Sequence, residues 1–262
     1  VTTSLDKNMN RNHLENVFLN HKRWLDSNGE KGARAALNGE NLTGMDLTGR
    51  DLSRADLAGS DFRGAVLRTA NLSAANLDRT VFQKASMQWC ILKGADLRDA
   101  DLNECQLQFA DLSSARMGGA RLKGAFLHNT YFYRTQLAGA DLENAKLRFT
   151  CFDAADLSGA CLKNAKLQKA RLVKADLTRA NLAHARILSS NLNGANLEGC
   201  DLSGARLDKV DLRGTDCAGM RCRKTRFWNI QYQPVKENPL HMMPAESPVC
   251  SDLNASISSA AL

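Results

Sequence analysis

Proline is missing from the first 233 residues: all four prolines lie at 234, 239, 244 and 248. Proline cannot donate to a strand ladder, so its exclusion leaves that stretch free for continuous backbone pairing. Aromatic side chains are also scarce, at 6%, so a core has to be built mostly from aliphatic groups. There is no 18-residue apolar run, which excludes a membrane-spanning helix, and residues 1–25 lack the apolar core of a secretory signal. Eight cysteines are present, but none form C-x-x-C or group with histidine at zinc-ligand spacing. Free buried thiols fit a reducing, cytoplasmic setting better than a disulfide scaffold. The five histidines (13, 21, 128, 184, 241) are dispersed. With no Gly-rich phosphate loop, Ser/His/Asp grouping or acidic cluster, no catalytic, cofactor or metal site is expected and the chain reads as a non-enzyme. A formal charge of +7 permits anionic partners without naming one.

What the sequence has in abundance is a period of five. From Leu37 to Phe227 an apolar residue returns every fifth position without a slip, giving 39 centres. Of these 29 are Leu, five Phe (62, 82, 132, 152, 227), two Met, two Cys and one Ile. Two residues before each centre sits a small side chain: Ala in 23 cases and Ser, Thr, Cys or Val in 12. The four exceptions are Glu40, Met45, Arg50 and Met220, all near the ends of the array. In a helix the centres would spiral around every face, and in a flat strand an odd spacing would alternate sides. All of them point inward only if the chain turns equally in every repeat, which makes a solenoid. Cys90, Cys105 and Cys200 fall in the small inward slot, while Cys217 and Cys222 are centres, so these five read as structural.

Longer phases give the size of a coil. Phe62 and Phe82 are 20 residues apart, as are Phe132 and Phe152; Trp89, Phe109 and Phe149 share one phase of 20, and Lys146, Lys166, Arg186, Arg206 and Arg226 share another. Four repeats per coil would make nearly ten coils, and at about 4.8 Å per strand a rod roughly 45–50 Å long. With stretches such as ADLRDADL, ANLAHARIL and GANLEGCDL, residues 35–227 resemble the bacterial pentapeptide-repeat family and its A-(D/N)-L-x-x motif. The resemblance implies an all-β solenoid, a right-handed quadrilateral β-helix.

The flanks differ from the array. Residues 12–27 predict an amphipathic capping helix, with Asn12 and Glu15 as a capping box and Leu14, Val17, Phe18, His21, Trp24 and Leu25 as its apolar stripe. Ser27-Asn28-Gly29 supplies the stop. At the other end Trp228, Ile230 and Tyr232 are expected to cover the last coil, and residues from about 234 to 262 read as a Pro-, Ser- and Ala-rich tail. End-to-end pairing is disfavoured at the capped start and open, as a dimer contact, at the C-terminal end.

Sorting outward positions by face gives a lopsided rod. The face centred on Leu57, Leu77 and Leu97 has eight acids and four arginines, net −4. The opposite face, centred on Leu47, Leu67 and Met87, has nine bases and two acids (Asp46, Asp208), net +7. Its second half carries the ladder Lys146, Lys166, Arg186, Arg206 and Arg226. Its first half carries Trp89, Phe109, Phe126 and Phe149, with Tyr131 and Tyr133 just around the corner. This is the candidate surface for a partner, most simply another protein bound on a flat, non-catalytic face. The family resemblance also implies DNA-mimicking protection of a topoisomerase (DNA gyrase) as an antibiotic-resistance function, or a role as accessory or effector in a bacterial secretion or phage system. Mimicry of duplex DNA over 45 Å would need roughly 26 negative charges, far beyond the best face here. Nucleic acid on the basic face is the remaining alternative, limited by the mismatch between a straight ladder and helically wound phosphates.

Overall fold

The computed structural model describes the backbone of residues 4–233 and the side chains from residue 12 onward. Parallel bridges join each residue before a centre to the one 20 positions later, from Ala36↔Asp56 to Asp201↔Arg221. Each coil therefore takes four pentapeptides, and the chain folds as a β-solenoid. The centres are buried from Leu37 to Phe227, with the slot residues beside them apart from Glu40, Met45 and Arg50 in the first coil. The phased phenylalanines stack as the period predicts: the Phe62 and Phe82 rings lie 5.1 Å apart, and Phe132 and Phe152 4.8 Å apart. Where the slot holds Thr instead of Ala, its hydroxyl donates to a carbonyl in the previous coil, except at Thr215, which bonds Leu212 O in its own corner. Thr80 reaches Leu57 O at 3.0 Å and Thr130 reaches Leu107 O at 2.8 Å, so neither buried hydroxyl is left unpaired. Cys90, Cys105 and Cys200 fill the same slot, and burial pushes the Cys90 and Cys200 thiols up to about 12. Such thiols stay protonated and inert.

The motif's Asp or Asn has a structural task that its outward-facing position conceals. Its side chain accepts the N–H of the residue two positions on, as in Asp51 Oδ1 with Ser53 N (2.9 Å) and Asp176 Oδ1 with Thr178 N (2.9 Å). This Asx turn prepares the corner. The corner closes when the N–H three residues after the centre bonds back, as Ala55 N does to Leu52 O at 3.0 Å. The second corner residue has positive φ, 60° at Arg54, which defines a type II turn.

One face departs from this rule. At Lys166–Gln168 (β1), Arg186–Leu188 (β2), Arg206–Asp208 (β3) and Arg226–Trp228 (β5) the chain forms three-residue strands, paired in the order β1-β2-β3-β5. The closing turn bond is missing there, while the coil-to-coil bonds made at ordinary corners persist, such as Lys169 N to Leu188 O (2.8 Å) and Ser189 N to Asp208 O (2.7 Å). Lys or Arg before the centre offers no acceptor for an Asx turn. A single such residue does not open a corner, since Ala120 N still bonds Met117 O (3.0 Å) after Arg116. A run of uncapped corners does not open them by itself either: Val66, Ser86, Gln106 and Phe126 follow one another in this column, and Ala70 N still bonds Leu67 O (3.1 Å) and Ala110 N still bonds Leu107 O (3.1 Å).

The chain enters through helix α1, Ser4–Asp26. It begins eight residues before the expected Asn12, because nothing between Ser4 and Asn12 breaks a helix. Asn12 and Glu15 are therefore interior and form no capping box. Glu15 instead pairs with Arg50 across to the first coil at 2.6 Å, and Arg50 also lies over the Phe18 ring at 4.8 Å. Leu14, Phe18 and His21 are buried, while Val17, Trp24 and Leu25 are half-buried. His21 Nδ1 accepts the Ala35 N–H at 3.0 Å, and burial holds its pKa below the ordinary value. After the helix the chain doubles back at Gly32, where a Cβ would run into the Asn20 carbonyl. At the far end β4 (Asp211–Arg213) pairs with β6 (Gln231–Gln233). Ile230 is buried and Tyr232 packs on the core, but Trp228 covers nothing: it is 52% exposed, on the basic face. The tail from 234 to 262, with its prolines, lies outside the described residues.

Candidate interaction face

The basic ladder is a single register column. Lys146 bridges Lys166, which pairs with Arg186, then Arg206, then Arg226, one cation per coil. Above it the same column reads Asp46, Val66, Ser86, Gln106 and Phe126. Lys166, Arg186, Arg206 and Arg226 are exposed and Lys146 is half-buried. Arg148, Lys169 and Lys209 add to the same half of the face. Among the described residues none of these eight cations is in an ion pair. Several contact aromatic rings instead. Lys146 Nζ lies 3.6 Å from the centre of the Phe126 ring, and Phe149 lies between Arg148 (4.8 Å) and Lys169 (5.3 Å). Arg206 is 5.7 Å from the Trp228 ring. Cation–π contacts leave the positive charge open to a partner.

The aromatic half is solvent-facing. Trp89 is 58% exposed and stacks on Phe109 at 4.2 Å with 4° between their planes. Phe109 and Phe149 are also exposed, and Phe126 is half-buried beneath Lys146. Tyr131 and Tyr133 are exposed on the adjoining face, with Arg134 over Tyr133 at 5.1 Å. Trp89, Phe109 and Phe149 all occupy the corner position that needs positive φ, at 61°, 63° and 57°. A bulky side chain is disfavoured there, so the fold gives no reason for three aromatics at these corners. Beside them Gln88 Oε1, Gln108 Oε1 and His128 Nδ1 are buried without a hydrogen-bond partner. Burial, with Lys146 and Arg148 nearby, lowers the His128 pKa, leaving the ring neutral and able to accept. Arg148 and Lys169 were counted among the bases of this face from sequence, whereas Trp228 was expected to cover the last coil instead. Trp228 shares the 20-residue phase of Gln88, Gln108, His128 and Arg148, so the period alone could have placed it here.

The opposite face is more nearly neutral than its acid count suggests. Asp96 pairs with Arg98 (2.6 Å) and Arg116 (3.3 Å), and Asp78 with Arg79 (2.9 Å). The Arg98 hydrogen bond holds Asp96 below the usual carboxylate range. Among the described residues no group of three or more His, Cys, Asp or Glu is placed to hold a metal ion, and no helix is long and apolar enough to cross a membrane.

A continuous array of five-residue corners around an aliphatic axis, with side-chain variety concentrated in its outer columns, defines a solenoid repeat protein. The chain belongs to the pentapeptide repeat family, whose model matches in eight copies between residues 33 and 229. Among solved structures it is similar to HetL, a pentapeptide repeat protein involved in heterocyst differentiation regulation from the cyanobacterium Nostoc sp. strain PCC 7120. The two are 30% identical over 74% of this chain and 90% of that one, with a TM-score of 0.44. It is also similar to Rfr23 of the cyanobacterium Cyanothece 51142 (31% identity, 37% and 64% covered, TM-score 0.30). A third is a trypsin-treated variant of QnrB1, a plasmid-mediated fluoroquinolone resistance protein (17% identity, 75% and 92% covered, TM-score 0.41). No curated protein matches the chain.

Proposed function

We propose that this protein is a non-catalytic protein-interaction module whose working surface is the basic, aromatic face. One observation carries the reading. Along Lys146, Lys166, Arg186, Arg206 and Arg226, side chains that could have capped turns are replaced by cations that no carboxylate in the described chain neutralises. Like-charged residues stacked one coil apart, about 4.8 Å, repel one another, and the fold gains no turn cap in return. Surplus charge beside exposed, stacked aromatics is a surface suited to a partner. The DNA-mimic reading is weaker, because the acidic face is broken by its own arginine pairs at Asp78 and Asp96.

The test uses the protein as bait in nuclease-treated bacterial lysate, beside the Lys166→Glu, Arg186→Glu, Arg206→Glu variant. A defined partner retained by the native rod and lost from the variant is expected. Capture of the same partner by both baits would sink the assignment of this face; DNA gyrase recovered by both would move attention to the acidic side.

A further inference from the structure

Building on that reading of the face, the geometry points to a partner of defined shape: we infer that it binds an acidic amphipathic helix of another protein, laid along the rod axis. Spacing carries the argument. The five column cations recur once per coil without a register slip, or about every 4.8 Å. A helix presents one residue per turn to such a column, every ~5.4 Å. Over four steps the two ladders span about 19 Å and about 22 Å, a mismatch that long Lys and Arg side chains absorb. An extended peptide offers same-face groups only every ~6.7 Å and would run about 8 Å out of register over the same steps. Duplex phosphates, one charge per ~1.7 Å and winding, leave the column sooner still.

The rest of the face sets the helix's polarity. Trp89, Phe109 and Phe126 lie in the three coils above the cations, with Phe149 beside the first of them. From the coil of Trp89 to that of Arg226 is seven steps, about 34 Å, or a helix of about 22 residues. Its facing stripe is apolar for two or three turns and then carries one Glu or Asp per turn, with the apolar end over the Trp89–Phe109 stack.

The experiment is fluorescence anisotropy at physiological ionic strength. The probe is a side-chain-stapled helical peptide carrying that stripe. A proline-broken peptide of the same composition and single-stranded DNA of equal charge serve as competitors. The stapled helix is expected to bind 1:1, with affinity falling about tenfold or more when proline breaks it or when Lys166, Arg186 and Arg206 become Glu. Reversing Lys93, Lys163 and Lys224, three exposed cations elsewhere, should change it by less than about threefold. Circular dichroism and melting of both variants separate lost binding from lost folding. Equal binding by the broken peptide, or tighter binding by the DNA, would overturn the helix assignment. So would a salt-sensitive dimer of the protein alone that the triple reversal dissolves, since a second copy would then be the occupant. Loss of the lysate partner from the charge-reversed bait, with no binding of the stapled peptide, would reject the helix and leave the face assignment standing.

Discussion

Two columns on opposite sides of the rod fill the same place in the repeat, the residue before the centre. On one side Asp156, Asp176, Asn196 and Asp216 each accept a turn N–H, at 3.0, 2.9, 2.9 and 3.0 Å. On the other, Lys146, Lys166, Arg186, Arg206 and Arg226 cap nothing, and from Lys166 onward the corners open into strands. The first column's charge is a by-product of folding, because Asn196 performs the task equally well without charge. The second column's charge is free of any such task. In a repeat protein, where duplication can copy any residue from coil to coil, this contrast separates inherited polarity from polarity that needs another explanation.

The largest effect should come from removing each column in turn. Replacing Asp156 and Asp176 with Ala deletes two Asx acceptors, at about 1 kcal/mol each, so the pair should lose about 2 kcal/mol of stability. Replacing Arg186 and Arg206 with Ala should change stability by no more than about 0.5 kcal/mol. Chemical denaturation midpoints of the two double variants measure both. Equal losses would mean that the basic column also serves the fold, and the contrast would collapse.

Much of this was readable from the period alone. The 20-residue phases of Phe62/Phe82 and of the Lys/Arg ladder placed the core stacks and the column without any coordinates. The capping role of Asp was not readable, because it depends on a turn N–H aimed back at the side chain. Seen as sequence, Asp176 is merely an exposed polar residue. The opened corners were hidden for the same reason. Trp228 was misplaced by treating the end of the array as a lid rather than following its phase. The helix start was missed because Asn12 and Glu15 have capping-box spacing, while their actual surroundings are those of a helix interior beside Arg50.

The aromatic corners offer a second, smaller test. Trp89→Gly would relieve a bulky residue at φ 61° and lose the Phe109 stack. Those terms are each about 1 kcal/mol and of opposite sign, so the net change in stability should stay within about 1 kcal/mol. Partner binding should nevertheless fall, separating this corner from the buried phenylalanines, which serve only the fold. A Trp89→Gly loss of several kcal/mol would instead make the stack a structural clamp.

Salt should reveal the smallest difference, and it tests the premise that the basic column is under electrostatic strain. Adjacent cations about 4.8 Å apart lie within the ~8 Å screening length of physiological salt, which shrinks to ~3 Å at 1 M. Screening removes repulsion present only in the folded rod, where the column is held in register, so added salt should raise the melting temperature. Arg186→Ala with Arg206→Ala cuts the ladder and should lower that response by a few tenths of a kcal/mol. A control with Lys93→Ala and Lys163→Ala, which belong to no such column, should respond like the native chain. If all three respond alike, the side chains have splayed far enough to escape one another. The two columns would then differ in hydrogen bonding alone, and the case for the basic face would rest on its unpaired charges and exposed rings.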